Sequence, residues 1–561
     1  MSTAINLFLG LTAAAWLVPN HYAPWSSAWG DALAIVGLLL LLPIAALSAV
    51  SGGRISWRLL GIAALCCAVL LAQFVSGKLV FAGDALVAVF YVGLWLAAVQ
   101  AGGLMAVPRV GHGSGLNAMT VTWLFAALLS VGVALVQWTA ALSLGIYGAE
   151  MPPGGRPFGN VAQPNHLCTL CFLGLCGLLW LHQRHQVQGI AFWSGVGFLL
   201  LGMVMTQSRT GWLQIALLVT WGLVMRTRAG LRISRAQLLA LGGMCATGVL
   251  LWSPLCDALL LSAGRSIGDQ MQSGVRLPYW LSMLDAISRE PLWGYGWQQV
   301  GVAQQRVALN HPSVGTMFEH SHNLVLDLLL WNGIPIGVLI VAVLVWWLIS
   351  HIRACHDAKV VWLLAALGGV FMHAMLEFPL EYAYFLIPVG FAMGAIDTYS
   401  PAGRRSLHVS RWTALPVTAL LGVLFVGTAT EYLKAEENYR TLRMESARIG
   451  SANVVAPAPQ LRLLTQLEAF LQFARTEATP GMSPEQVDWM RNVSERFGYP
   501  PVLFRYALAA GLNGQPEVAR ETLARICRIH EPQRCLEAKE GWATLRVQYP
   551  DLGDIAVANK P

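Results

Sequence analysis

Residues 317–350 read MFEHSHNLVLDLLLWNGIPIGVLIVAVLVWWLIS. From Asn323 onward the run is almost wholly apolar, and a helix needs about 20 such residues to cross hydrocarbon. Backbone polar groups inside lipid must bond within the segment, so the run predicts a membrane helix over 323–350. Its mouth carries Glu319, His320, His322 and Asn323. Ionisable groups beside lipid are costly and tend to be functional.

The rest of the chain matches this stretch. Its 561 residues are 56% hydrophobic and 12% charged, with a mean hydropathy of +0.56; an average soluble domain is about 25% charged. Further apolar runs lie at 3–19, 31–50, 57–75, 84–101, 118–141, 165–182, 188–206, 210–225, 237–254, 360–376, 383–398 and 412–430. With 323–350 they make about 13 helices. The Gly and Leu content suits packed helices and not a barrel of alternating residues. The predicted fold class is an all-α polytopic membrane protein with a large outer loop and a helical C-terminal domain. The expected segments are 1–254 (N-terminal transmembrane helices), 255–322 (loop with an interfacial helix), 323–430 (C-terminal transmembrane helices) and 431–561 (soluble helical domain).

Lys and Arg set the orientation. Alternate loops carry Arg54 and Arg58; Arg109; Arg184; Arg226, Arg228, Arg232 and Arg235; Arg353 and Lys359; and Arg404, Arg405 and Arg411. These are expected in the cytoplasm. The intervening short loops hold little beyond Lys78, Arg156 and Arg209. The N-terminus is then inside, and the 255–322 loop and the tail are outside. The first span lacks a basic leader and a small-residue cleavage site, so it reads as a retained helix. The net charge of +7 is mostly this inner basic set and not a nucleic-acid footprint. No Gly-rich loop followed by Lys marks a nucleotide-driven pump.

Most cysteines lie in apolar spans and read as small core residues, including the CxxC of Cys168 and Cys171. Cys527 and Cys535 lie in the outer tail, where a disulfide can persist. Residues 432–475 read as amphipathic helix interrupted by VVAPAPQ, and PPVLFRYALAAGLNGQPEVARETLARICRIH resembles one tetratricopeptide unit. The tail is either a solvated cap or a docking surface for a polypeptide.

Polar residues gather at the outer ends of the spans. GGRPFGNVAQPNHLCTL supplies Arg156, Asn160, Gln163, Asn165 and His166. A helix cap needs one such residue, Asn165 being the candidate; five suggest a binding site. TQSRTGW places Arg209 in a tight turn, where it either snorkels to headgroups or holds phosphate by forked hydrogen bonds. GVRLPYWLSMLDAISREPLWGYGWQQV puts Arg276 before an amphipathic helix whose apolar face is Leu281, Leu284, Ile287 and Leu292. Arg265, Arg289 and Arg306 read as solvated. In the opening stretch Thr316 and Glu319 have capping-box spacing, so the helix is expected to begin before the histidines, with Glu319 as cap. Positions i and i+2 of a helix do not share a face, so His320 and His322 have different jobs. An extended HxH would suit a metal, but third and fourth ligands are lacking. Neutral imidazole is a good general base. MHAMLEFPLEYAYFL adds His373, Glu377 and Glu381, whose carboxylates either bind sugar hydroxyls or lie exposed.

SRTGW, RLPYW, PLWGYGW and HSHNLVLDLLLWNGIPIG, in that order over 208–340, resemble the O-antigen ligase/O-antigen polymerase superfamily. VPNHYAPW (18–25), GRPFGNVAQPNHL (155–167) and MLEFPLEYAYFL (375–386) narrow the resemblance to the bacterial protein O-oligosaccharyltransferases, the PglL-type pilin-glycosylation ligases. The tail resembles them only in being a soluble extension.

The resemblance implies a GT-C-like membrane glycosyltransferase, independent of metal and cofactors. Such an enzyme moves an oligosaccharide en bloc from undecaprenyl diphosphate to Ser or Thr of an exported protein, at the periplasmic face of the inner membrane. It implies His322 as the catalytic residue and Arg209 and Arg276 as diphosphate ligands. Arg156, Asn160, Gln163, Asn165, His320, Asn323 and Glu377 are implied in substrate binding or support. The rivals are an O-antigen ligase acting on lipid A core, a glycan polymerase, and a transporter of lipid-linked glycan. A transporter places its polar groups near the bilayer midplane, often within inverted repeats; here they gather at one face, and no repeat is evident.

Overall fold

The structure, a computed structural model, describes residues 10–107, 115–264, 274–447, 457–553 and 555. Arg109 and Arg265 lie outside them. The membrane region begins with α1 (Ala28–Ser48), α2 (Trp57–Val75), α3 (Ala82–Ala106), α4 (Gly115–Thr139) and α5 (Pro164–Gln183). Then come α6 (Gly189–Met205), α7 (Arg209–Arg228) and α8 (Arg235–Ala258). The loop holds α9 (Arg276–Arg289) and α10 (Val300–Val307), and α11 (Leu324–Arg353), α12 (Ala358–Ala374), α13 (Ala383–Tyr399) and α14 (Ala414–Ser446) follow. The tail folds as α15 (Thr465–Phe473), α16 (Pro484–Arg496), α17 (Pro500–Leu512), α18 (Pro516–Ile529) and α19 (Pro532–Gln548).

Among the described residues eight helices are long and apolar enough to cross a membrane: α1 to α5, α8, α11 and α14; α6, α12 and α13 are shorter apolar helices. Every predicted span from 31–50 onward coincides with a helix. Of the first span, residues 10–15 are helical and 3–9 lie outside the described residues. The protein is an all-α polytopic membrane protein. Where the sequence suggested a span ending near residue 430 and a separate tail helix, α14 is one helix of 33 residues. Beyond Gly427 it meets no Gly or Pro, and its Ala, Glu, Lys, Leu and Arg are good helix formers.

The chain packs as two compact units. One comprises Met1–Ala64, Phe90–Gln272 and Val343–Phe425; the other comprises Leu65–Val89, Ser273–Ala342 and Val426–Pro561. In the first unit a Cβ on Gly394 would strike the Val99 carbonyl, and one on Gly102 the Phe391 carbonyl. Small residues thus let α3 and α13 meet backbone to backbone. Two buried carboxylates pin the helices. Asp31 accepts from Ser27 Oγ (2.5 Å), the Tyr91 hydroxyl (2.9 Å) and Ala383 N (2.6 Å). Asp397 accepts from Trp347 Nε1 (2.9 Å) and Ser56 N (2.7 Å) and bonds His351 Nε2 (3.0 Å). Beside Ser56, β1 (Gly53–Ile55) pairs antiparallel with β2 (Leu407–Val409).

In the second unit α11 is broken. Gly333 has φ 75° and ψ 171°, and Pro335 follows. The PLWGYGW turn docks into the gap: Tyr295 N donates to Leu330 O (2.7 Å), Gly296 N to Trp331 O (3.2 Å) and Ile334 N to Pro291 O (2.7 Å). Gln73 Nε2 donates to Trp331 O (2.7 Å), and Trp297 Nε1 donates to Asn332 Oδ1 (2.7 Å). Non-helical backbone within a span is tolerated only where protein satisfies it, and the two glycine-containing motifs do so for one another. The tail packs a core around Phe473, Met490, Leu503, Leu523 and Trp542. A disulfide joins Cys527 to Cys535, while Cys168 and Cys171 are unbonded and buried in α5.

Candidate active site

In the first unit the polar residues converge at the starts of α5 and α7 and in the loop after α12. Thr206 to Ser208 form a buried turn between α6 and α7, and Arg209 is the first residue of α7, half-buried. Ser208 Oγ donates to Asn165 Oδ1 (2.7 Å), and Asn165 Nδ2 donates to Glu377 Oε1 (2.9 Å). Arg156 Nη1 donates to Thr206 O (3.2 Å). One turn therefore carries Arg209 and is touched by Arg156. The positive ends of the α5 and α7 dipoles add to those charges, an arrangement suited to an anion.

Several side chains differ from expectation. Gln163, not Asn165, holds the N-cap position of α5 and makes no side-chain cap bond. Asn165 instead bridges Ser208 and Glu377. The Gln163 Oε1 is buried and accepts no hydrogen bond. Glu377 is 5% exposed, so the open carboxylate considered above is not what the loop presents. Asn160 is committed to the fold: its amide donates to Leu17 O (2.8 Å) and Tyr147 O (2.9 Å), and its Oδ1 accepts from Ala149 N (3.1 Å). Both of its N–H groups are consumed before any substrate arrives. His166 is buried beside His373, Tyr382 and Phe385, and neither of its ring nitrogens has a hydrogen-bond partner.

In the second unit the HSH segment precedes α11. The Thr316–Glu319 capping box is not formed, because α11 starts at Leu324 and is capped by Asn323, whose Oδ1 accepts from Val325 N (3.0 Å) and Leu326 N (3.1 Å). Glu319 accepts instead from the Tyr499 hydroxyl (2.9 Å). His322 has φ 60°, the left-handed region that costs a residue with a Cβ about 1–2 kcal/mol. The surrounding bonds hold it there. Ser321 N donates to Asp327 Oδ1 (2.7 Å), Trp280 Nε1 to Ser321 O (2.9 Å) and the Tyr279 hydroxyl to His320 O (3.3 Å).

His322 Nδ1 lies 3.2 Å from His320 O. A carbonyl only accepts, so Nδ1 is the donor here, and in the neutral tautomer Nε2 is the accepting nitrogen. The ring meets Phe318 edge-on at 4.9 Å. Burial pushes His320 down to about 4; Glu319 opposes this and His322 and Arg496 add to it, so His320 is neutral near pH 7. Arg276, first residue of α9, precedes Tyr279 and Trp280 by three and four positions and shares their helix face. The other face of α9 and the turn after it expose Leu277, Leu281, Leu284, Leu292 and Trp293, as an interfacial helix would. Ile287, counted above on the apolar face, is buried instead.

The structure thus brings Asn165, Glu377, Arg156 and Arg209 together in one unit. It brings His320, His322 and Asn323 together in the other, where Arg276 starts the helix whose Tyr279 and Trp280 bond that segment. Tyr279, Trp280, Asp327 and Tyr499 were not singled out from sequence; their partners are 6 to 180 positions away. Among the described residues no three His, Cys, Asp or Glu side chains converge as metal ligands.

In comparisons with known proteins the chain is similar to membrane O-oligosaccharyltransferases. The O-antigen ligase family matches residues 194–341, which hold Arg209, Arg276, His320, His322 and Asn323. The protein glycosylation ligase family matches residues 157–182, with Asn160, Gln163 and Asn165. A third family, the C-terminal part of virulence factor membrane-bound polymerases, matches 361–537, which reaches further into the tail than the sequence resemblance did. The chain is homologous to the general O-oligosaccharyltransferase of Acinetobacter baylyi, 27% identical over 543 residues, covering 94% of this chain and 92% of the relative. It is 26% identical over 433 residues to the ComP-specific O-oligosaccharyltransferase of the same organism, covering 75% of each.

Proposed function

We propose that the protein transfers an oligosaccharide en bloc from undecaprenyl diphosphate to Ser or Thr of exported proteins such as pilin. The reaction takes place at the periplasmic face of the inner membrane. The observation that carries the reading is the Nδ1 bond of His322 to His320 O at 3.2 Å, which orients the ring and makes Nε2 the accepting nitrogen of its neutral tautomer.

The acceptor hydroxyl is a weak nucleophile until its proton is taken. His322 Nε2 accepts that proton as the hydroxyl oxygen bonds to the anomeric carbon. The bond from that carbon to the diphosphate oxygen breaks, and polyprenyl diphosphate leaves with the electron pair. Displacement in one step inverts the anomeric centre. Arg209 and Arg276 neutralise charge developing on the leaving diphosphate. Arg156, Gln163, Asn165 and Glu377 bind donor sugars or acceptor, and Asn323 holds the helix start beneath the base.

The test is reconstitution of purified protein with lipid-linked oligosaccharide and either a pilin-like protein or lipid A core as acceptor. Transfer to protein, abolished by His322→Ala without loss of folding, is expected. Transfer to lipid A core alone would replace the protein acceptor with the ligase reading. Full activity of His322→Ala would remove His322 as the base.

A further inference from the structure

We propose that Glu319, Tyr499 and Arg496 form a clamp through which the C-terminal helical domain holds the His320–His322 segment in its active conformation. The proposal rests on the reading of His322 as the base. It makes the tail a working part of the site and gives positioning roles to three residues that do not touch substrate.

The left-handed backbone at His322 is the starting point. Such a conformation persists only where its surroundings over-determine it. Tyr279, Trp280 and Asp327 restrain the carbonyls and amide of residues 320 and 321. The preceding residues are restrained from the other side. Gln304 on α10 grips the backbone twice: its Oε1 accepts from Phe318 N (2.8 Å) and its Nε2 donates to Thr316 O (2.9 Å). The next residue, Gln305, donates to Ser494 O (3.2 Å) and Glu495 O (2.8 Å) at the end of α16. Adjacent glutamines thus tie the segment and the tail to one helix.

The tail then grips the segment itself. Tyr499, between α16 and α17, donates to Glu319 (2.9 Å), one residue before His320. Ser313 Oγ donates to His530 O (2.9 Å), and the His530 ring bonds Gly498 O (2.9 Å) next to Tyr499. A Cβ on Gly498 would press on Met317 Sδ at 2.9 Å, so the turn and the segment are in close contact. Arg496 anchors the arrangement by a forked pair with Asp84 at the start of α3: Nε to Oδ2 at 3.1 Å and Nη2 to Oδ1 at 3.1 Å, with side chains 13% and 2% exposed. Burial opposes the charge of Arg496, and the Asp84 and Glu319 carboxylates outweigh it and keep it protonated.

Tyr499→Phe removes one hydroxyl and leaves the buried Arg496–Asp84 pair in place, so it separates the clamp from folding. Two readouts are needed on full-length protein in nanodiscs: amide hydrogen exchange over residues 316–322 and steady-state transfer. The expected result is about tenfold faster exchange and about tenfold lower kcat, the loss of one charge-assisted hydrogen bond, with unchanged KM for donor and a melting midpoint lowered by no more than about 5 °C. Glu319→Gln combined with Tyr499→Phe is expected to be no worse than the worse single change. Arg534→Gln, which breaks a surface pair with Glu537 in the same domain, is expected to change neither readout. Unaltered exchange in Tyr499→Phe overturns the clamp. Faster exchange with unaltered kcat overturns its role in catalysis. His322→Ala, run alongside, separates both results from a failure of the base assignment.

Discussion

Replacing Gly294 by Ala is expected to disrupt the second unit at the break in α11. Gly294 has φ 62°, and a Cβ there would strike Leu330 O, with Gly333 N at 2.6 Å and Asn332 N at 2.9 Å. All three are backbone atoms and cannot swing aside. The left-handed conformation alone costs alanine about 1–2 kcal/mol. To relieve the contact the turn must back away from α11, and Tyr295 N and Gly296 N then lose Leu330 O and Trp331 O. Each buried N–H left unpaired costs about 1–3 kcal/mol. The total is about 4 kcal/mol or more, or about 10 °C in melting midpoint for a unit of this size.

Two other glycines calibrate the measurement. Gly77 has φ 75° with nothing within 4 Å, so Gly77→Ala pays the conformational penalty alone, about 1–2 kcal/mol. Gly61, inside α2, has nothing within 4 Å and no left-handed φ. Gly61→Ala is expected to be neutral or slightly stabilising, since alanine exceeds glycine in helix propensity by about 1 kcal/mol. The assay is thermal unfolding of detergent-solubilised protein at one scan rate, followed by loss of monodisperse protein. The expected order is Gly61→Ala at or above wild type, then Gly77→Ala, then Gly294→Ala well below. A Gly294→Ala protein as stable as Gly77→Ala would refute the docking of PLWGYGW into the broken helix.

Arg209→Lys keeps the charge but loses the fork, so transfer is expected to fall about tenfold or more with little change in stability; donor titration against turnover checks it. Glu377→Gln can still accept from Asn165 Nδ2 and is expected to melt near wild type while losing most activity. Asn165→Leu removes the bridge between two buried polar groups and is expected to lose both, by about 2 kcal/mol in stability. His320 is pushed from 6.5 to about 4 by burial. The unfolded chain therefore takes this proton first, and stability that is full above pH 6.5 declines as pH falls toward 4. A melting series across that range should show the decline, and His320→Gln should flatten it.

The membrane helices were legible because lipid imposes a coarse rule, a run of apolar residues long enough to cross, that composition alone can satisfy. The roles of single polar residues followed less closely. Asn165 and Asn323 both stand near helix starts, and capping logic fits either; only the fold reveals that Asn323 caps and that Asn165 reaches Ser208 and Glu377 instead. Glu319 has capping-box spacing to Thr316, yet a tyrosine 180 positions later takes its carboxylate. Local spacing predicts local bonds. It carries no information on a competitor delivered by tertiary packing, here the Tyr499 hydroxyl.

His322 is set apart by where its strain falls. Among the described residues seven with a side chain beyond Gly have a positive φ: Ala140, Ala162, His185, Gln207, Leu260, Gln298 and His322. Ala140, His185, Gln207 and Leu260 follow the ends of α4, α5, α6 and α8, and Ala162 follows a single 3-10 turn. A left-handed residue is the ordinary way to end a helix. Gln298 and His322 follow no helix end. Glycine at position 322 would adopt the same backbone without the penalty, so stability alone would not place a histidine there. The segment spends four side-chain bonds on holding residues 319–321, from Tyr499, Tyr279, Trp280 and Asp327. That outlay is intelligible if what matters is the position of the imidazole ring, with Nδ1 tied to His320 O.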